Sequence, residues 1–260
     1  MKNDFIKTLK KVSGHRYIRT QFELWAEIAA RTIHNTPYTQ GVIPKDKDYE
    51  RNEAKYMDSI KGLKREELND LSKMLAYCMM YFGEGNKSDF LGEIYMDLEM
   101  GNDRGGEFFT PYHISLMMAQ MNLEGCESII KKKGFISVCE PCCGAGGMIV
   151  AVAEVLQKKG FDPSEYAYFH AQDISRLCCN ICYIQMSSMG LTGTVAWGNT
   201  LTNDVCEKWE TPRLKAVRAE KLVHLKPEAP QSESFLKPKD KEPVLSESVK
   251  SEDKQLSFVF

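Results

Sequence analysis

Hydrophobic residues in the first third of the chain recur at helical spacing. Within residues 1–85 the apolar positions fall three and four residues apart, which is the period of one buried helix face. Examples are Phe22, Trp25, Ile28 and Ala29 and, further along, Leu63, Leu68, Leu71 and Leu75. We predict two or three helical segments in this N-terminal region, with breaks at Pro37 and Pro44 and the last helix beginning near Lys64.

Residues 86–203 follow a different pattern, in which short apolar runs alternate with helical stretches. Strands separated by helices pair in parallel through right-handed crossovers. The alternation therefore predicts an open α/β sheet, and such sheets bind ligands at the carboxyl ends of their strands. The predicted strands are 135–139, 166–171 and 194–197, and the predicted helices are 89–100, 111–121, 147–158 and 175–189.

Order is predicted to fade in residues 204–260. An amphipathic helix is expected at 213–226, whereas 227–254 is rich in Pro, Ser, Lys and Glu and has few large apolar residues. Such a composition buries too little apolar surface to offset the entropy lost on ordering. We therefore expect a C-terminal helix followed by a disordered tail.

Composition and charge argue against several classes of protein. A formal net charge of −2 argues against the strongly basic surface of an autonomous nucleic-acid binder. The first twenty residues do hold six Lys or Arg against one acid, and a solvated helix face is favoured for them over a DNA-backbone contact. No apolar run approaches the roughly 20 residues of a membrane span, and the start of the chain lacks the apolar segment of a secretory signal. We expect a cytoplasmic protein.

The nine cysteines are expected to be reduced thiols, because an odd number is scattered through predicted core elements. Two pairs, Cys139 with Cys142 and Cys179 with Cys182, have the spacing of zinc ligands. The second pair lies within a predicted helix, so buried free thiols are favoured over a zinc site.

One glycine-rich turn carries the candidate chemistry. The sequence CEPCCGAGG, residues 139–147, joins a predicted strand to a predicted helix. Glycines there let the backbone approach a ligand closely, and the free amides at the start of the helix face the same space. Glu140 would repel a phosphate and the Walker lysine is absent, so a ligand with an amino group fits better. The alternative is a structural turn whose glycines serve packing.

A second acid lies at the end of the next predicted strand. Asp173 follows Glu140 by 33 positions, and an acid at a strand end accepts hydrogen bonds from ribose hydroxyls. Asp173 can also cap the helix that follows it, which is compatible with ribose binding. S-adenosylmethionine carries both an amino group and a ribose diol, so the two acids together favour it as the cofactor.

Residues 89–201 resemble a known family. Five motifs match, in order, those of adenine-specific DNA methyltransferases, in particular the modification (methylase, M) subunits of type I restriction-modification systems. They are Asp89–Tyr95 (DFLGEIY), Gly106–Pro111 (GEFFTP), Glu140–Met148 (EPCCGAGGM), Gln172–Ile174 (QDI) and Gly198–Leu201 (GNTL). The resemblance implies an α/β fold of the class I S-adenosylmethionine-dependent methyltransferase (Rossmann-like) type, here truncated and preceded by the N-terminal helical region.

The resemblance also implies a role for individual residues. Thr110 and the amides near it would hold the methionine carboxylate, and Glu140 and the glycines would hold the methionine backbone. Asp173 would bind the ribose and Asn199 the adenine amine. The full set of implied cofactor-binding residues is Phe109, Thr110, Pro111, Glu140, Pro141, Gly144, Gly146, Asp173, Ile174 and Asn199.

One motif of that family is missing from this chain. Its members carry Asn-Pro-Pro-Phe or Asn-Pro-Pro-Tyr, whose Asn oxygen and proline carbonyl accept the amine hydrogens of a flipped adenine. No two prolines are adjacent here. We therefore expect an S-adenosylmethionine-binding protein whose catalytic groups for DNA come from a partner, either a specificity subunit or a complementary methyltransferase subunit, or from an unrecognised substitute for this motif. We assign no catalytic residue. The alternative is a non-catalytic interaction protein that keeps the cofactor fold and engages methylation or replication machinery.

The last residues of the chain are apolar although they follow a polar stretch. Their sequence, QLSFVF, is similar to peptides that dock on bacterial sliding clamps. Gln255, Leu256, Phe258 and Phe260 would be the contacts. The alternative, equally weighted, is that this segment adds an edge strand or folds back onto the core.

Overall fold

Helices fill the N-terminal part of the chain, and helices alternate with strands after residue 135. The computed structural model describes residues 1–98, 109–219 and the backbone of 257–259. None of the described helices has both the length and the apolar character that crossing a membrane requires. The elements are α1 (Lys2–Ser13), α2 (Ile18–Thr39), α3 (Lys47–Ser59), α4 (Arg65–Gly83), α5 (Phe90–Asp97), α6 (Tyr112–Asn122), α7 (Cys126–Lys133), β1 (Ile136–Glu140), α8 (Gly147–Lys158), α9 (Pro163–Tyr166), β2 (Ala167–Asp173), α10 (Arg176–Ser188), β3 (Gly193–Asn199), β4 (Asp204–Glu210), α11 (Pro212–Ala219) and β5 (Ser257–Val259).

Four helices, rather than the predicted two or three, form the N-terminal region. Helix α3 has no apolar stripe, since Asn52 is its buried residue, and its start is fixed by Asp46, whose carboxylate accepts hydrogen bonds from two backbone amides. The predicted break at Pro37 is wrong, because this proline lies inside α2, which ends at Thr39. A proline there removes one backbone hydrogen bond, and the long buried face of α2 offsets that loss.

Aromatic side chains join the N-terminal helices to one another. Phe5, Phe22 and Trp25 are fully buried. The rings of Phe5 and Trp25 meet edge to face with centroids 4.8 Å apart, and Trp25 Nε1 donates to the carbonyl of Leu71 at 3.2 Å. The apolar cluster that contains them continues beneath the sheet to residues such as Phe169. The N-terminal helices therefore share a hydrophobic core with the α/β part.

Basic side chains of α1 are engaged with acids of the same chain. Lys2 Nζ lies 3.0 Å from Glu93 and 2.9 Å from Asp97, and Lys11 Nζ lies 2.6 Å from Asp70. Partly exposed pairs of this kind contribute little to stability. They favour the helix-face interpretation of this basic cluster over a DNA contact.

The sheet confirms the predicted α/β class. Its strand order is β4-β3-β2-β1-β5. Strands β1 and β2 are parallel, with Glu140 opposite Ala171, and β2 and β3 are parallel, with Asp173 opposite Trp197. Helices α8 and α10 form the crossovers. The carboxyl ends of β1, β2 and β3 therefore meet at one edge of the sheet, where Glu140 and Asp173 lie.

Strand β4 corrects the expected loss of order after residue 203. It pairs antiparallel with β3, from Asp204 opposite Asn199 to Glu210 opposite Thr194. Most of its residues are exposed and Trp209 is its buried one, so no alternation of apolar residues marks it in the sequence. The predicted helix at 213–226 begins in α11, and residues 220–226 lie outside the described part. Helices α7 and α9 were not predicted.

The end of the chain lies against the sheet. Residues 257–259 form β5, which pairs in parallel with residues 137–139 of β1. This is the edge-strand alternative for the terminal segment, and docking on a sliding clamp finds no support. Gln255, Leu256 and Phe260 lie outside the described residues.

Candidate functional site

The turn between β1 and α8 has a backbone that requires glycine at two points. Gly144 has φ 50° and Gly146 has φ 95°, in the left-handed region that side chains disfavour. A Cβ at Gly146 would lie 3.0 Å from Cys182 Sγ on α10, and a Cβ at Gly144 would lie 3.1 Å from Phe109 Cδ1. The turn is therefore held closely between α10 on one side and the ring of Phe109 on the other.

Asp173 connects this turn to the end of β2. Its Oδ2 accepts a hydrogen bond from Gly144 N at 2.9 Å, and its Oδ1 accepts one from Ser175 N at 2.8 Å, just before α10. Cys143 N also donates to the carbonyl of Gln172 at 2.9 Å. The predicted adjacency of the two strand ends is thus present, and Asp173 faces the turn as well as the start of α10.

Glu140 is the most buried acid of the turn, with 3% of its surface exposed. Its Oε1 accepts a hydrogen bond from Cys142 N at 3.1 Å. Burial is the main cause that raises the pKa of Glu140 to about 7, and the nearby charge of Asp173 contributes to that value. A cation bound beside this carboxyl would stabilise its ionised form.

A cavity of about 100 Å³ opens beside the turn. It is small for a nucleoside cofactor, which would have to extend beyond it along the strand ends. Larger cavities of about 570 and 530 Å³ lie elsewhere; the first is at the amino ends of β2 and β3, opposite the ligand-binding edge of a parallel sheet. The small cavity is lined by residues that include Asp89, Phe109, Thr110, Ser115, Gly144 and Met148.

The structure distributes the predicted site residues along this edge. Phe109, Thr110 and Gly144 line the cavity, whereas Glu140, Pro141, Asp173, Ile174 and Asn199 lie outside its wall at the ends of the three strands. Pro111 is exposed at the start of α6, and Gly146 is buried behind the turn. The structure therefore does not gather the whole set into one closed pocket; most of its members lie in the cavity wall or at the three strand ends.

The ends of β2 and β3 combine polar and exposed apolar groups. Asn199 Oδ1 accepts a hydrogen bond from Leu201 N at 3.0 Å, and Thr200 Oγ1 donates to the carbonyl of Pro141 at 2.6 Å, which ties β3 to the turn. Ile174 and Leu201 have 70% and 91% of their surfaces exposed. Exposed apolar side chains beside an amide give this end the chemistry to contact a planar base.

Sequence reasoning missed two polar residues of the cavity wall, Asp89 and Ser115. Asp89 belongs to a family-like motif, but no role was assigned to it. Nothing in the sequence around Ser115, which lies in the first turn of α6, marks this polar residue as buried.

The cysteines near the turn are free thiols, and most of them are buried. Cys143, Cys179 and Cys182 are buried and Cys142 is exposed. Cys179 Sγ donates to the carbonyls of Ala196 at 3.3 Å and Asp173 at 3.4 Å. Within residues 1–98 and 109–219, no group of His, Cys, Asp and Glu side chains has an arrangement suited to a metal ion.

Comparison with known proteins identifies relatives of this chain. The model of the family described as N-6 DNA methylase matches residues 86–223, just over half of the chain. The type I restriction enzyme MpnII methylase subunit of Mycoplasma pneumoniae is 28% identical over 145 residues, which are 54% of this chain and 25% of that protein. The chain thus spans about a quarter of the length of this relative.

Two solved structures overlap more loosely. A class I S-adenosylmethionine-dependent methyltransferase from Listeria monocytogenes gives a TM-score of 0.40 at 16% identity, over 78% of this chain and 55% of that one. A type I restriction-modification methyltransferase subunit from Streptococcus thermophilus gives a TM-score of 0.39 at 13% identity, over 78% of this chain and 60% of that one. The assignment rests on the family match, which covers the glycine turn, both strand-end acids and Asn199. This chain belongs to the N-6 DNA methylase family, as its resemblance to adenine-specific methyltransferases of type I restriction-modification systems predicted.

Proposed function

We propose that this protein binds S-adenosylmethionine along the carboxyl ends of β1, β2 and β3, as the cofactor-binding part of an N6-adenine DNA methyltransferase of a restriction-modification system. The observation that carries the proposal is the pair of strand-end acids that contact one glycine turn. Glu140 is buried beside Cys142 N, and Asp173 is bonded to Gly144 N. An ammonium group and a ribose diol are the ligand groups that such a pair accepts.

The residues present fit this cofactor. The hydrogen bonds of Asp173 to Gly144 N and Ser175 N occupy two of the roughly four acceptor positions of a carboxylate, which leaves positions for ribose hydroxyls. Glu140 would hold the ammonium group, with Phe109 and Thr110 beside it. Asn199 and the exposed Ile174 would contact the adenine. When bound, S-adenosylmethionine supplies an electrophilic methyl group. The residues of this chain would hold the cofactor in place and orient that group.

The groups that activate the target adenine are assigned to a partner. The chain has no adjacent prolines, so it lacks the carbonyl and amide pair that would accept the hydrogens of the adenine amine. We assign them to a complementary methyltransferase subunit, and DNA recognition to a specificity subunit.

Calorimetric titration with S-adenosylmethionine tests the cofactor site. Asp173→Ala is expected to lose affinity by at least about tenfold, or about 1.4 kcal/mol. Asp46→Ala is the matched control, because Asp46 also accepts two backbone hydrogen bonds but lies at the start of α3, away from the turn. An unchanged affinity of Asp173→Ala, or an equal loss in both variants, would contradict the assignment.

A transfer assay tests the need for a partner. The protein is incubated with tritiated S-adenosylmethionine and adenine-containing duplex DNA, alone and with the subunits encoded beside its gene. We expect label in DNA only when a partner is present. Label incorporated by the chain alone would contradict the partner requirement, and cofactor binding without transfer in any combination would favour the non-catalytic interaction protein.

A further inference from the structure

Asp89 presents one carboxylate oxygen to the cavity. It is 3% exposed, and both of its side-chain hydrogen bonds use Oδ1, which accepts from Gly92 N at 3.0 Å and from Gln185 Nε2 at 2.7 Å. Its Oδ2 makes no hydrogen bond within the described residues. A Cβ built on Gly147, the first residue of α8, would lie 2.9 Å from that Oδ2. The free oxygen therefore lies against the end of the glycine turn, in the wall of the cavity.

Gln185 fixes the orientation of Asp89 relative to the turn. This side chain is fully buried, and its Nε2 donates both to Asp89 Oδ1 and to the carbonyl of Ala145 at 2.8 Å. Its Oε1 accepts from Leu91 N at 3.1 Å. One amide from α10 thus joins α5 and the turn, so a shift of Asp89 would require a shift of both.

Ser115 adds an unpartnered hydroxyl to the same wall. It is 1% exposed, and its Oγ has no hydrogen-bond partner in the part of the chain that the structure describes. A buried hydroxyl without a partner costs free energy. The cavity that Ser115 lines therefore fits a ligand that donates or accepts a hydrogen bond there.

Among the described residues, the charged side chains that border the turn are acids. Asp89 joins Glu140 and Asp173, and each of the three carboxylates contacts a different part of residues 140–147. No Lys or Arg is found among the residues described in the cavity wall. Burial raises the pKa of Asp89 to about 6, as expected for a carboxyl without a cationic partner.

We propose that Asp89 is the charge-selecting residue of the cofactor site: its Oδ2 faces the cationic methionine end of the ligand and favours the sulfonium cofactor over the neutral thioether product, while Ser115 Oγ hydrogen-bonds the same ligand. This inference rests on the proposed function. S-adenosylmethionine carries one more positive charge than S-adenosylhomocysteine, so a fixed carboxylate in a site with little solvent discriminates between them. Such discrimination favours replacement of the bound product by fresh cofactor.

The test uses the isosteric variant Asp89→Asn. Asparagine keeps an oxygen that accepts from Gly92 N and Gln185 Nε2, and it replaces only the cavity-facing oxygen with an amide nitrogen. Dissociation constants for S-adenosylmethionine and S-adenosylhomocysteine are measured by calorimetry at pH 8. We expect Asp89→Asn to weaken binding of the sulfonium compound about tenfold and of the thioether less than about threefold. Asp97→Asn, at the other end of α5, is the control and is expected to change neither constant.

Ser115→Ala provides a second, independent readout. We expect a several-fold loss of affinity for both compounds with no decrease in the melting temperature of the ligand-free protein, because removing an unpartnered buried hydroxyl does not cost stability. An equal loss for both compounds in Asp89→Asn, or no loss, overturns the selection role. Unchanged affinity in Ser115→Ala overturns the hydroxyl contact. If the wild-type protein binds neither compound, the proposed function itself fails; if it binds and only Asp173→Ala loses affinity, this inference alone fails.

Discussion

Replacing Glu140 with Gln should stabilise the protein in the absence of cofactor. Glu140 is almost fully buried, and burial raises the pKa of its carboxyl from the ordinary value of 4.5 to about 7. Between these two values the folded protein keeps a proton that the unfolded chain has released, so the free energy of unfolding falls as the pH rises. Well above pH 7, where Glu140 is ionised in the folded protein as well, the free energy of unfolding falls no further on account of this group. Gln cannot ionise and keeps an oxygen that accepts from Cys142 N.

The size of the effect follows from the pKa. The pKa of the carboxyl is raised from 4.5 to about 7. At about 1.4 kcal/mol per pKa unit, its ionisation lowers the free energy of unfolding by about 3 kcal/mol. We therefore expect Glu140→Gln to be more stable than the wild type by up to about 3 kcal/mol at pH 8 and by less than about 1 kcal/mol at pH 5. The difference between the two proteins isolates Glu140, because every other ionisable group is present in both.

Urea denaturation at pH 5, 6, 7 and 8 measures the difference. Glu165→Gln, which changes an exposed glutamate on α9, is the control and should show no such pH dependence. Saturating S-adenosylmethionine should then reduce the advantage of Glu140→Gln, since a ligand stabilises the form that binds it. A variant that is no more stable at pH 8 than at pH 5, or less stable than the wild type at pH 8, would refute the reasoning.

Three further substitutions test the packing of the turn and of the surrounding fold. Gly146→Ala should lower the free energy of unfolding in urea by roughly 2–3 kcal/mol, because φ is 95° and the new Cβ would lie 3.0 Å from Cys182 Sγ. The control Gly160→Ala, where φ is 83° and the space around the new Cβ is open, should lower it by only about 1 kcal/mol. Lys215→Met should cost about 2 kcal/mol in the same assay, since Lys215 Nζ lies buried 3.7 Å from the half-exposed Asp48, while Lys208→Met on exposed β4 should be neutral. Trp25→Ala should lower stability by roughly 3–5 kcal/mol, measured by thermal melting, because its ring and its bond to Leu71 lie in the shared core; a loss below 1 kcal/mol would contradict that shared core.

The elements that could be predicted from the sequence are those with their own apolar pattern. Helix α8 has the predicted bounds, Gly147–Lys158, because a glycine turn marks its start and most of its residues are buried. Strand β4 and helix α3 lack such a pattern. Trp209, the buried residue of β4, packs against His34 of α2, and the centroids of the two rings lie 5.3 Å apart. This contact joins residues 175 positions apart, so the local sequence around either residue does not predict it.

The same distinction applies to the site. Glu140 and Asp173 could be paired from the sequence, because each follows a predicted strand and parallel strands bring their carboxyl ends to one edge. Asp89 could not, because its position depends on Gln185, 96 positions later. Ser115 could not either, since a serine inside a helix is ordinarily solvated. Residues placed by strand topology are predictable, and residues placed by one long-range side-chain contact are not.

Two buried acids, Glu140 and Asp89, make the turn costly to fold and suited to a cation for the same reason. Glu140 and Asp89 both have raised pKa values, to about 7 and about 6, and no basic side chain of the described cavity wall offsets them. Above pH 7 the ligand-free site therefore holds ionised carboxyls that a bound cation would compensate. The gain in melting temperature on adding S-adenosylmethionine should then be larger at pH 8 than at pH 5, where both acids are largely protonated. A gain that is equal at both pH values would show that the acids do not contact the positive charge of the ligand.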